Sequence, residues 1–169
     1  NVGVELKESN DMIYKALELS LELFKSDTDK GGFPYVLHLF YVYKNVLEKE
    51  EKVVALLHDV MEDKNVTKED LLEIGFPSKI VSDILVLTRR KDVSYDAYID
   101  NIIKTGSKEA LEVKLADLKN NIDLTKPTSY QKTETKRKKI TESEYADKIE
   151  EIYLTGTVMH KKYGLGKVL

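Results

Sequence analysis

The chain has 169 residues, 41% hydrophobic and 34% charged, with 8 Gly, 3 Pro and a formal net charge of −3. That length is enough for one domain with a real core, and abundant Leu, Ile, Lys and Glu beside few Gly and Pro favour helix. The lack of cysteine excludes disulfides and thiolate zinc sites within the chain, the mild acidity argues against a general nucleic-acid binder, and no apolar run reaches the roughly 20 residues of a membrane span.

The elements are predicted to be helical throughout. Asn10 or Asp11 can cap a first helix through Phe24, with Ile13, Ala16, Leu17, Leu21 and Phe24 at helical spacing. "SDTDKGGFP" (26–34) is a loop, and its Pro34 suits the first turn of a second helix carrying Val36 to Leu47, His38 included. A third helix is expected over 50–62. Thr67 and Asp70 form a capping pair for the next helix, with Gly75 as its stop. A helix follows over 78–87, then one from the Ser94 cap to Lys104, stopped by Gly106. Ser107 caps a long helix to about Leu124, "KPTSY" (126–130) breaks the pattern, and a charged helix is expected over 133–154. Residues 1–155 then form one domain, and 156–169 a β-prone tail.

The third helix poses a chemical problem. In "VVALLHDVMED" (53–63) the first turns show no wet face, and a helix apolar nearly all round is normally buried. Yet it carries His58, Asp59, Glu62 and Asp63, at relative helical angles of roughly 0°, 100°, 40° and 140°, all on one side. Buried carboxylates need a partner or a metal. The other candidates are His38 on the neighbouring helix and Asp117, which sits among Val113, Leu115, Ala116, Leu118 and Ile122 with Asn121 one turn on. Singly, each is more often a packed or solvated side chain. Together, His38, His58, Asp59 and Asp117 make a nitrogen/oxygen donor set suited to Mn²⁺, Fe²⁺, Co²⁺ or Zn²⁺. Glu62 and Asp63 stand beside it as candidate general-base or water-positioning groups.

The pattern H…HD…D, with HDxxED and KLADxxxN, resembles the HD superfamily of metal-dependent phosphohydrolases. Within it, "GGFPYVLH" (31–38), "VVALLHDVMEDKNVT" (53–67), "LTRR" (87–90) and "VKLADLKNNIDL" (113–124) look like the hydrolase domain of RelA/SpoT-type enzymes and the small alarmone hydrolases. The resemblance implies an all-α HD-domain bundle that removes pyrophosphate from the 3′ position of (p)ppGpp, generally with Mn²⁺; Mg²⁺ joins the other cations as an alternative. It implies His38, His58, Asp59 and Asp117 as metal ligands, Glu62 and Asp63 as the acidic pair that handles the attacking water, and Asn121 and Lys30 as substrate contacts. Such a role belongs to the stringent response. The run Asp29-Lys30-Gly31-Gly32 stands where the family usually has Arg-Lys-Ser/Thr-Gly, and Leu118-Lys119-Asn120 where Arg-Leu-His is usual.

Other features complete the expectation. Tyr35 flanks the site and is a candidate to line a nucleotide pocket, while Lys114, Arg89 and Arg90 are candidate phosphate holders set against a plain surface role. "KTETKRKK" (132–139) is basic but adjoins the acidic "ESEYADKIEE" (142–151), the mark of an ion-paired face rather than a nucleic-acid site. The tail 156–169 resembles the small β segment that ends some UvrD-type helicases, and its His160 is not expected on the metal. The sequence opens at Asn1 without a basic-then-apolar leader, so a cytoplasmic protein is expected; homo-oligomerisation stays open. Two rival functions also stay open: an HD hydrolase of another nucleotide or phosphate ester, and a non-catalytic module clamped by its metal.

Overall fold

The computed structural model describes residues 8–122 and 142–151, with side chains from Met12 onward. The helices are α1 (Glu8–Phe24), α2 (Val36–Lys44), α3 (Lys49–Leu57), α4 (Val60–Asp63), α5 (Lys68–Ile74), α6 (Ser78–Val86), α7 (Tyr95–Thr105) and α8 (Lys108–Asn121). A further helix, α9, spans residues 142–151. Among the described residues the β structure is an isolated bridge between Thr28 and Pro34. The β-prone tail, His160 and the outer parts of the helix expected over 133–154 lie outside the described residues.

The all-round apolarity of α3 is explained by its place. It packs against α1, α2, α6 and α8, and Val54, Ala55, Leu56 and Leu57 have no exposed surface. Each such leucine contributes about 1.5–3 kcal/mol of burial. Ser20 of α1 donates its hydroxyl to the Leu56 carbonyl at 2.7 Å, pinning the two helices at the level of the histidines.

Local sequence sets the ends of the other elements. Thr67 and Asp70 cap α5 reciprocally, at 2.9 and 3.1 Å, and Gly75 ends it with φ of 112°. Ser94 accepts from the Ala97 amide and Ser107 from the Ala110 amide, starting α7 and α8. The Ser107 hydroxyl also donates to Asp83 of α6 at 2.6 Å, which fixes the start of α8 against the core. At Gly106 a side chain would meet the Ile102 carbonyl at 2.4 Å, so the tight α7–α8 corner requires glycine. In α9, Ala146 and Ile149 are buried, and Tyr145 and Lys148 reach Asp96 and Asp100 of α7.

Several predicted boundaries differ: α1 starts at Glu8, so Asn10 and Asp11 lie inside it rather than capping it, and α8 ends at Asn121 rather than near Leu124. The second helix ends at Lys44 rather than Leu47; the Asn45 side chain donates to the Tyr41 carbonyl at 2.8 Å and closes it. The single helix expected over 50–62 is interrupted at His58–Asp59. His58 Nδ1 takes the Ala55 carbonyl at 2.6 Å, so a side chain competes for an oxygen the next helical turn would use.

Candidate metal centre

The break in the helix turns His58 and Asp59 toward α2 and α8. His38 Nε2 lies 3.0 Å from Asp117 Oδ1, and His58 Nε2 lies 3.5 Å from the same oxygen. Asp59 Oδ2 is 3.0 Å from His58 Nε2 and 3.8 Å from His38 Nε2. Donor atoms of His38, His58 and Asp117 all fall within 4.8 Å of one another. Three segments far apart in sequence thus bring two imidazole nitrogens and the Asp117 carboxylate to one point, with the Asp59 carboxylate beside the two rings.

The hydrogen bonds behind the rings decide what that point needs. The Ala55 carbonyl accepts only, so His58 Nδ1, 2.6 Å away, carries the proton. His38 Nδ1 lies 2.6 Å from the Asn120 side-chain oxygen, which assigns the same tautomer. In the neutral rings both Nε2 lone pairs then face carboxylates. His58 Nε2 is buried and makes no aligned hydrogen bond despite the nearby Asp59 oxygen. Lone pairs and anions converging among buried side chains repel; a divalent cation at their focus would satisfy all of them. Such a cation lowers the pKa of bound water and polarises a phosphoryl group. Without it protons must serve. Burial disfavours the His58 imidazolium, but Asp59 and Asp117 overcome it and hold its pKa well above the ordinary value. Burial likewise opposes the Asp59 and Asp117 carboxylates, yet Asp59 is lowered, chiefly by His58. Asp117 is held well below the usual range, chiefly by Lys114 and then by the two histidines.

Around this focus the remaining candidates separate. Glu62 and Asp63 lie on the exposed rim. Glu62 accepts the Arg89 backbone N–H at 2.7 Å, so the α6–α7 loop holds it in place. Desolvation, with the Asp59 and Glu62 carboxylates beside it, pushes the Asp63 carboxyl up to about 6, where it can exchange a proton near neutrality. Tyr35 donates its hydroxyl to Asp59 Oδ2 at 2.5 Å and stacks on Phe24 with ring centroids 5.0 Å apart. Burial and then Asp59 raise its phenol far above the ordinary value, so it donates without ionising.

Lys114, expected to hold phosphate, is instead buried, with its ammonium 2.8 Å from Asp117 Oδ2. Lys30 is exposed and Asn121 half-buried at the end of α8. Arg89 lies 5.7 Å from the Tyr95 ring centroid, and Arg90 is paired with Asp92.

Sequence reading misses the role of Asn120. Positions three and four residues after Asp117 share its face almost equally, so spacing could not choose between Asn120 and Asn121. It also cannot see the Ala55 carbonyl or the Arg89 amide, since backbone groups leave no mark in a sequence. The loop before the site is braced by Asp29, whose Oδ1 accepts the Gly31 and Phe33 amides at 2.8 and 3.0 Å, while Gly32 adopts φ of 84°.

No protein-family model matches the chain. A curated relative from Borreliella burgdorferi (strain ATCC 35210 / DSM 4680 / CIP 102532 / B31), named guanosine-3′,5′-bis(diphosphate) 3′-pyrophosphohydrolase, is 34% identical over 85 residues, 48% of this chain and 13% of that protein. The chain therefore spans a small part of that relative's length. A solved structure, described as a metazoan ortholog of SpoT that hydrolyses ppGpp and plays a role in starvation responses, superposes with a TM-score of 0.68. The match covers 87% of this chain and 88% of that one at 21% identity. The chain shares the helical fold of that SpoT ortholog. Within this fold α2, the α3–α4 break and α8 carry His38, His58, Asp59 and Asp117, and α4 carries Glu62 and Asp63.

Proposed function

We propose that the chain is a metal-dependent phosphohydrolase that removes pyrophosphate from the 3′ position of a guanosine 3′,5′-bis(diphosphate), with Mn²⁺ as the preferred cation. One observation carries the reading: two imidazole lone pairs and the Asp117 carboxylate meet at a buried point with Asp59 beside them, and an acidic pair stands on the open side. A purely structural clamp has no use for Glu62 and Asp63 in that position. His38, His58, Asp59 and Asp117 would hold the cation. Asp63 takes a proton from the attacking water, and Glu62, fixed by the Arg89 amide, orients it. Water adds to the phosphorus, the 3′-oxygen leaves with a proton, and the products are pyrophosphate and the 5′-diphosphate. The 34% identical relative carries this activity in its name. A role in starvation signalling and a cytoplasmic location go with the proposal; among the described residues no helix is long and apolar enough to cross a membrane.

A second reading, hydrolysis of another nucleotide or phosphate ester, is favoured by the loop at 29–32. Asp29 spends a carboxylate oxygen on its own loop amides, where the family resemblance leads one to expect a base-contacting Arg. Purified protein with Mn²⁺ should be assayed against ppGpp and a panel of nucleotides. Release of pyrophosphate from ppGpp in preference to the panel supports the first reading, and preference for another phosphate ester supports the second.

A further inference from the structure

We propose that Lys114 is a positioning residue that keeps Asp117 on the metal centre through one oxygen alone. The inference rests on reading the centre as a metal site. Asp117 uses its two oxygens on opposite sides: Oδ1 faces His38 Nε2 at 3.0 Å, and Oδ2 receives the Lys114 ammonium at 2.8 Å. Lys114 is one helical turn from Asp117 on the same face of α8, so the pair forms without moving the backbone. Its ammonium is buried over two aromatic faces, 5.1 Å from the Tyr98 ring centroid and 5.6 Å from that of Tyr95. Those rings are themselves held. Tyr98 donates its hydroxyl to the Leu87 carbonyl at 2.5 Å, and Tyr95 packs on Tyr145 of α9 with centroids 4.8 Å apart.

An ammonium so placed repels a nearby dication, so it does not serve to tighten metal binding. What it does is occupy the second oxygen of Asp117. A carboxylate with both oxygens free can take two positions on a cation; with Oδ2 tied to Lys114, Asp117 takes one and leaves the other for water or a phosphate oxygen. A phosphate-holding lysine needs a route to solvent, and Lys114 is 7% exposed with a carboxylate already on its ammonium.

The test uses the full chain with Lys114→Met, whose apolar side chain has nearly the length of the lysine stem, and Lys114→Arg, which keeps the charge. Visible absorption of Co²⁺-loaded protein reads the coordination without substrate; calorimetry gives the Mn²⁺ affinity. Lys114→Met should change the Co²⁺ spectrum, bind Mn²⁺ at least as tightly as the native chain, and lose about 10-fold or more in kcat on ppGpp with little change in KM. Lys114→Arg should return the spectrum toward native. If Lys114→Met does not fold, Lys114→Gln is read the same way. A native Co²⁺ spectrum in the neutral variant overturns the proposal, and a raised KM at constant kcat makes Lys114 a substrate contact instead. Native protein that binds Co²⁺ without hydrolysing ppGpp defeats only the substrate reading, since the spectral test stands without it. Native protein that takes up no metal defeats both.

Discussion

His38 and Asn120, 82 positions apart in the chain, meet through a 2.6 Å contact between Nδ1 and the amide oxygen. The contact turns the other ring nitrogen, as a lone pair, toward Asp117. Partners of this kind typically account for 10–100-fold in metal affinity. Asn120→Ala should therefore weaken Mn²⁺ binding by about 10-fold or more while leaving the helical content intact. Calorimetric titration checks this; unchanged affinity would show that packing alone orients the His38 ring.

The acidic pair should separate from the ligands in its effects. Glu62→Gln and Asp63→Asn are expected to lower kcat by about 10²-fold, on the scale of general acid–base contributions, with metal content retained. Loss of metal in either variant would place that carboxylate among the ligands.

The same Asp63 predicts a pH profile. Its carboxyl stands near 6, and the charged form is the base, so kcat/KM should rise with pH through an acidic limb. A bound cation favours the carboxylate, which places that limb no higher than about 6. Asp63→Asn should remove it from the residual activity. A limb that survives in the variant belongs to another group.

Metal removal should cost more stability at high pH than near pH 6. His58 has its folded pKa raised well above the ordinary value. Its imidazolium thus stabilises the metal-free fold fully below the unfolded pKa of about 6.5, and the contribution is lost as pH rises through the folded value. Thermal melting with and without chelator should show a gap in Tm that is wider at pH 9 than at pH 6. A gap that narrows instead would mean that protons do not stand in for the cation.

A buried carboxyl away from the centre gives an independent pH signature. Glu51 of α3 is fully buried and accepts the Leu47 and Glu48 amides at 3.1 Å each. Burial, and then Glu112, push it up to about 7 from 4.5, against the pull of those amides. The folded state holds this proton more tightly than the unfolded one, so stability falls as pH rises from about 4.5 to 7. Glu51→Gln keeps an acceptor for the amides and cannot ionise. Its Tm should decline less over that window than the native Tm; parallel curves would remove Glu51 from the titration.

The sequence by itself determined the helical class, the caps at Thr67, Ser94 and Ser107, and the burial of 53–57, because these depend on local periodicity and on side chains a turn away. It also singled out His38, His58, Asp59 and Asp117, since carboxylates in apolar surroundings demand a counter-charge wherever the chain goes. Tertiary structure decided the rest. The Ala55 carbonyl breaks the helix at His58, a local event that propensity does not register because histidine also sits comfortably inside helices. The choice of Asn120 over Asn121 as the partner of His38 depends on how α8 is rotated against α2, which neighbouring helical positions cannot encode. Lys114 reads as a surface cation until the Tyr95 and Tyr98 rings of α7 close over it; buried there, its ammonium pairs with the Asp117 carboxylate.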